Sequence, residues 1–338
     1  MAESKAESQH SGKKGFNGAT AGHGFLAQIG THFKNWWWLY LIVFIAVVLA
    51  VVPPIVFVAY PRIAQGDIND STLEVTQMKI TDPKPDSAQL DLTQVIGTHS
   101  SFHPTLYGFN ASVSLAGSSS PFSSIYVPGV QPEGETVVNI TRRLQWSNET
   151  AFTEYVKAVW LNEQVQLNIY GKPELKEGGL PTITVAYNKT VTMKGLNSLK
   201  GLNITNFSVL LSQQSDGSNA KGTVNVPNPS VMTIELGNLT MDLSVDGTPI
   251  GQSHFYNMSL VPGNNVIPMT STVNESVVAS ILYAKDSPYT TGILPINIRG
   301  NKTVYNGQEL PYFSEALASS NLTVNVDVGK ALRDLGTV

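Results

Sequence analysis

In "THSSFH" two histidines, His99 and His103, stand four residues apart, with Asp82, Asp86 and Asp91 close by in the chain. Imidazole and carboxylate groups together are the donor set of a zinc-type site. On a strand this even spacing puts both rings on one face. No third ligand is evident, so the pair reads as exposed polar surface, and no metal or other cofactor is expected. The search for other chemistry ends the same way. The chain holds no cysteine, which excludes disulfides, thiolate metal sites and thiol nucleophiles. It has no G-x-S-x-G, H-E-x-x-H, P-loop or G-x-G-x-x-G. The reading is non-enzymatic, with no catalytic residue.

Modification chemistry, by contrast, recurs throughout. "LNITNFSV" holds two Asn-x-Ser/Thr triplets back to back, each an acceptor pattern for N-linked glycan. Twelve such asparagines occur: Asn69, Asn110, Asn139, Asn148, Asn188, Asn203, Asn206, Asn238, Asn257, Asn274, Asn301 and Asn321. Chance gives about four or five. All twelve follow one apolar stretch, residues 36–60.

That stretch, "WWWLYLIVFIAVVLAVVPPIVFVAY", has no charge and as a helix spans a hydrocarbon core of about 30 Å. Trp36, Trp37, Trp38 and Tyr40 form an aromatic belt at one end, with Tyr60 at the other. It is longer than a signal-peptide core and lacks a small-x-small cleavage site, so it reads as a retained anchor. At Pro53-Pro54 the helix either kinks or ends. Lys5, Lys13, Lys14 and Lys34 precede it, while Arg62 and Lys79 after it are diluted by Asp67, Asp70 and Glu74. The positive-inside rule then puts residues 1–35, a disordered tail, in the cytosol. Phe25, Ile29 and Phe33 read as a short interfacial lead-in. Everything after the anchor faces a lumen, as the one-sided acceptors also require.

Of the 338 residues only 14% are charged, against about 25% in an average protein. Glycans would supply the hydration that charges do not. The net charge of −4 and the lack of any basic block argue against a nucleic-acid partner.

The lumenal part is strand after short strand. Period-two patterns place Tyr107, Phe109, Ala111, Val113 and Leu115 on one face, and likewise Ile183, Val185 and Tyr187; Tyr256, Met258 and Leu260; and Leu322, Val324, Val326 and Val328. In "IELGNLTMDLSV" the phase slips, which predicts a bulge near Gly237. On each strand the glycan acceptor falls on the polar face. Asn203 and Asn206, three apart, fall on opposite faces, so that stretch reads as a linker or as one used site. Two segments, "NETAFTEYVKAVWL" and "NESVVASILYA", read as helices with Asn at the N-cap. Each follows a Val-Pro-Gly (127–129, 261–263) and precedes an Asn-Ile-x-Gly (168–171, 297–300). This is an internal duplication. The expected organisation is a first sandwich over 67–195 and a second over 196–338.

The segments "GLNSLKGLNITNF", "GTVNVPNPSVMTIELGNLTMDL", "GTPIGQ" and "LVPGNN" resemble a fungal family of single-pass membrane proteins with a domain of unknown function (DUF3712-like). That domain is related to the LEA-2 (late embryogenesis abundant, group 2) β-sandwich. The resemblance runs from about Asp67 to Val328. Its most specific piece is "PNPS" at 227–230 before a strand, with only "FHPT" at 102–105 to match it in the first unit. It implies tandem antiparallel sandwiches of about seven strands, each with a helix, and no enzymatic activity. It also implies a vacuole or other endomembrane, with the plasma membrane as the other site.

Two functions follow. The first is a lumenal module that holds lipid. Phe152, Tyr155, Val159 and Trp160 on the first helix, with Tyr107 and Phe109 from a strand, would line an apolar groove; the same stripe also suits a plain core helix. The second is an interaction protein whose glycosylated sandwiches contact other proteins or a cell wall. The partners are then the bilayer, a bound lipid and proteins not identified by sequence. On either reading, endoglycosidase should shift the gel mobility of the full chain by several glycans. A tag on Met1 should be digested by protease added to intact vesicles. A protected tag would reverse the orientation.

Overall fold

The computed structural model describes residues 23–98, 100 and 102–334, with side chains from residue 36 onward. The side chains of the tail and of the lead-in, and His99, lie outside what is described. The chain divides into two compact units after Tyr60.

The first unit is the helix α1 (His23–Pro54), followed by a π-helical turn over Ile55–Ala59. The segment from Trp36 is long and apolar enough to cross a membrane; an 18-residue stretch of it has a mean hydropathy of 3.1 and none of that stretch is buried. The helix does not end at Pro53-Pro54. A proline ring crowds the carbonyl four residues back. The next turn widens, and the Tyr60 N–H reaches back five residues to the Ile55 carbonyl, as in a π-bulge.

The second unit opens with α2 (Tyr60–Asp70). Gln65 ties it to the backbone of Ala186 through two hydrogen bonds of 2.8 Å. Buried Lys189 donates its ammonium to the carbonyls of Asn69 and Ser71 at the end of α2. Burial holds that ammonium below the usual lysine range, opposed by nearby Asp70.

Fourteen main strands follow. The first seven are β1 (Thr72–Lys84), β2 (Ser87–Gly97), β3 (Phe109–Leu115), β4 (Ser123–Val127), β5 (Glu135–Gln145), β6 (Gln164–Gly171) and β7 (Tyr187–Lys194). The next seven are β8 (Asn203–Val209), β9 (Ala220–Asn228), β10 (Met232–Val245), β11 (Thr248–Leu260), β12 (Gly263–Val273), β13 (Ile293–Tyr305) and β14 (Asn321–Asp327). In the first set the pairing order is β1-β2-β5 in one sheet and β7-β6-β3-β4 in the other. In the second it is β8-β9-β12 and β14-β13-β10-β11. Every main pairing therefore recurs seven strands later, and all of these are antiparallel. The helix of each set falls in the same place: α3 (Glu149–Leu161) between β5 and β6, and α4 (Glu275–Leu282) between β12 and β13. Asn148 and Asn274 cap them, accepting from the N–H three residues on at 3.0 and 3.2 Å.

The repeats differ in three ways. In the second, β11 and β12 also pair over 251–254 and 270–273, fusing its two sheets. In the first, the matching strands meet at a single bridge, Ser123 to Trp146. The second repeat also carries α5 (Pro311–Ala318) and α6 (Val328–Asp334). In place of α5 the first has two short strands, Glu174–Lys176 and Ile183–Thr184, which pair with each other, and Glu174–Lys176 pairs on its other edge with Thr105–Leu106.

The repeats do not separate into free bodies. β1 lies parallel to β10, with Met78, Lys79 and Ile80 opposite Met232, Thr233 and Ile234. Past Gly237 the same strand pairs with β13 instead. Gly237 sits at φ +78°, and a Cβ there would lie 2.5 Å from the Val304 carbonyl. The sequence slip is this bulge. The connection between repeats is pinned too: Gly195, Leu196 and Asn197 donate their N–H groups to carbonyls at the end of α3.

Local differences from the sequence pattern have local causes. Residues 203–206 are strand, not linker; β8 has a register shift between Thr205 and Ser208 with Asn206 at φ +52°. A second left-handed residue, Asn257 at φ +50°, turns Tyr256 outward and leaves Phe255 and Met258 inside. Tyr107 precedes β3 and is exposed.

The "PNPS" turn joins β9 to β10 through buried polar bonds. Asn228 Nδ2 donates to the Met232 carbonyl at 2.8 Å, and its Oδ1 accepts from the Ser230 N–H and hydroxyl at 3.0 and 2.6 Å. Asn228→Ala orphans buried groups on both sides. It should cost about 2–3 kcal/mol in denaturant unfolding, whereas Pro229→Ala should cost far less.

Candidate functional site

The sequence reads the histidine pair as exposed polar surface, and one of the two is described. His103 is exposed, and His99 is outside the described residues. Among the described residues no three His, Asp or Glu side chains group as ligands. Asp82 pairs with Arg143, and Asp86 accepts from the Ser87 hydroxyl at 3.0 Å.

The acceptor asparagines are all accessible. Eleven are exposed, and Asn148 is half-buried at its helix start. The bulge in β8 turns both Asn203 and Asn206 outward, although regular pleating would oppose them. At Asn148 and Asn274 the amide oxygen makes the cap, which leaves the amide nitrogen for a sugar.

The six groove residues do not line one groove. Phe152, Tyr155, Val159 and Trp160 are all buried, Trp160 being 3% exposed. What covers them comes from the second repeat. Tyr312 of α5 packs edge-on to Phe152 with ring centres 5.0 Å apart, and Lys157 pairs with Glu315 at 3.2 Å. Trp160 Nε1 donates to Ser320 Oγ at 3.0 Å. Phe122 stacks on Tyr155 at 4.8 Å. Phe109 packs against Tyr187, 5.3 Å between centres, and Tyr107 points away. Burial pushes the phenols of Tyr155 and Tyr187 up to about 12, so both stay neutral and move no proton near neutral pH. The space left between the first repeat's sheets is about 80 Å³.

The second repeat holds a cavity of about 360 Å³ between its sheets. Leu243, Ile250, Leu294 and Ile296 line it from the strands, with Ile204 and Phe207 on β8, Val278 and Ala279 on α4 and Val328 on α6. At the mouth stand Leu211 and Tyr283, 83% and 64% exposed. The polar rim is Asn219, whose amide donates to the Val273 carbonyl at 2.8 Å and to Glu275 at 3.0 Å. Inside, Ser253 and Ser271 face each other at 2.7 Å.

The duplication explains why one repeat is hollow. Aligning the capping asparagines puts Phe152 opposite Val278 and Tyr155 opposite Ile281. Rings that plug the first sandwich become small aliphatic groups in the second. Large aromatics suggest ligand contact from sequence, yet here they occupy the space a ligand would need. The missed signal was the smaller residue at the matching position.

Residues 120–243 match the family model described as a protein of unknown function, DUF3712. The matched segment runs from just before β4 to near the end of β10. That is seven strands, one repeat's worth in rotated order. No curated protein matches the chain. Among solved structures it is similar to a structural-genomics target, SoR45, at 10% identity, covering 37% of this chain and 86% of that one, TM-score 0.22. It is also similar to a cross-linked bacterial adhesin from Mobiluncus mulieris at 10% identity, covering 68% and 80%, TM-score 0.20. A third is the periplasmic chaperone SfaE at 12% identity, covering 76% and 100%, TM-score 0.18.

Trp160→Asp puts an unpaired carboxylate into the junction of the repeats. It should unfold the chain or cost at least about 3 kcal/mol by circular-dichroism melting. Trp160→Phe keeps most of the packing and loses the Ser320 bond, at a cost of about 1 kcal/mol.

Proposed function

We propose that this chain is a membrane-anchored, non-enzymatic glycoprotein that holds a lipid or similarly apolar molecule in its second sandwich. The observation that carries this reading is the 360 Å³ apolar cavity with an exposed mouth beside α4. Ligand sites are apolar clefts of about 300–1,000 Å³ with few polar groups, and the first repeat's space falls well below that range. The lysine bias before the anchor and the accessibility of all twelve acceptors support a type II orientation with both repeats in a lumen. The resemblance to LEA-2 domains of fungal membrane proteins supports a vacuole-like membrane as the location and lipid as the cargo.

The test is mass spectrometry of lipids extracted from the purified full chain. Wild-type protein should carry lipid in defined stoichiometry. Ala279→Trp puts a large ring at the mouth from an exposed helix position. It should strip most of the bound lipid while leaving the melting temperature unchanged. Wild-type protein without lipid would shift the reading to glycosylated sandwiches that contact other proteins or a wall.

A further inference from the structure

Ser253 and Ser271 are 3% and 1% exposed and lie in the wall of the second repeat's cavity. They are direct partners across β11 and β12, where those strands fuse the two sheets. Among the described residues the two hydroxyls hydrogen-bond only to each other, at 2.7 Å. A hydroxyl carries one donor and two acceptor positions. In a bonded pair one hydrogen is used and the other is not, so the pair keeps one donor and several lone pairs facing an apolar space. A buried donor left unused is unfavourable. The first repeat has no such surplus, because Ser123, at the corresponding seam, donates to the Gln145 carbonyl at 2.8 Å.

The rest of the lining limits what fits there. Among the described residues it contains no Lys, Arg or His, and Glu275 stands at its rim. An anionic headgroup would meet no cation and one like charge. A pure hydrocarbon would leave the serine donor unused. We propose that the second sandwich takes a neutral lipid alcohol, a long-chain or ring alcohol whose hydroxyl accepts from and donates to the Ser253–Ser271 pair. This rests on the cavity being a binding site, and it adds the chemical class of the molecule.

The experiment uses the full chain in nanodiscs and two photoreactive probes, a diazirine-bearing decanol and the matching diazirine-bearing decane. Labelled peptides that carry Leu243 or Leu294 report cavity occupancy. Each probe is compared between wild type and the Ser253→Ala/Ser271→Ala double variant, so partition into the bilayer cancels. The alcohol should label the wild-type cavity roughly five- to ten-fold more than the double variant, the factor one hydrogen bond supplies. The hydrocarbon should label both alike. Each single Ser→Ala variant should keep most of the preference, because the remaining hydroxyl can still donate and accept. Removing both partners together leaves no orphan, so melting of the double variant should match wild type. Equal alcohol labelling in wild type and double variant overturns the inference and leaves the cavity reading standing. Cavity peptides that neither probe labels overturn the cavity reading itself.

Discussion

The geometry of the second unit depends on one strand serving two partners. β10 gives its first residues to β1 and its later ones to β13 along the same edge. The exchange happens at Gly237, where no side chain fits against the Val304 carbonyl. Without it the first repeat's outer strand would be an open edge, which invites pairing with other chains. With it, the two sandwiches share a sheet, and α5 of the second repeat is brought down over α3 of the first. The aromatic junction of Trp146, Phe152, Tyr155 and Tyr312 follows from that placement.

That junction sets the division of labour between the repeats. The α3 helix must present a wide apolar face because it is covered on two sides, by its own sheets and by α5. Large rings satisfy this and fill the first sandwich. The α4 helix has no such cover, and Tyr283 and Ala279 on it are exposed. At the position of Phe152 it carries the smaller Val278, and the space beneath stays open. Duplication supplied two copies of one frame, and asymmetric covering left only one with a sizeable interior.

Much of the fold was legible because its signals are local. Alternation in "NLTVNVDV" follows from one buried sheet face, the Asn-Glu-Ser/Thr starts from N-cap chemistry, and the slip at Gly237 from a bulge. The helix long and apolar enough to cross a membrane follows from length and composition alone. The site was less legible. The bulges at Asn206 and Asn257 depend on left-handed residues that only cross-strand register reveals. The role of Phe152 and Trp160 depends on α5, a helix about 160 residues further on. A pattern of apolar residues tells that a face is covered, and not by what. The empty space under α4 is defined by side chains that are missing relative to its twin, which a single helix does not announce.

The β1–β10 pairing has a consequence for synthesis. The first strand to emerge after the apolar helix has to wait for a partner about 150 residues later, which makes it a high-contact-order closure. During that interval β1 is paired on one edge only, and the rings of α3 have no α5 to cover them. Such surfaces are where chaperones bind and where nascent chains misassemble. On the proposed lumenal orientation, sugars at Asn69, Asn110, Asn139 and Asn148 would reach the chain within this window. They would give the waiting half of the molecule a hydrated coat before its core can close.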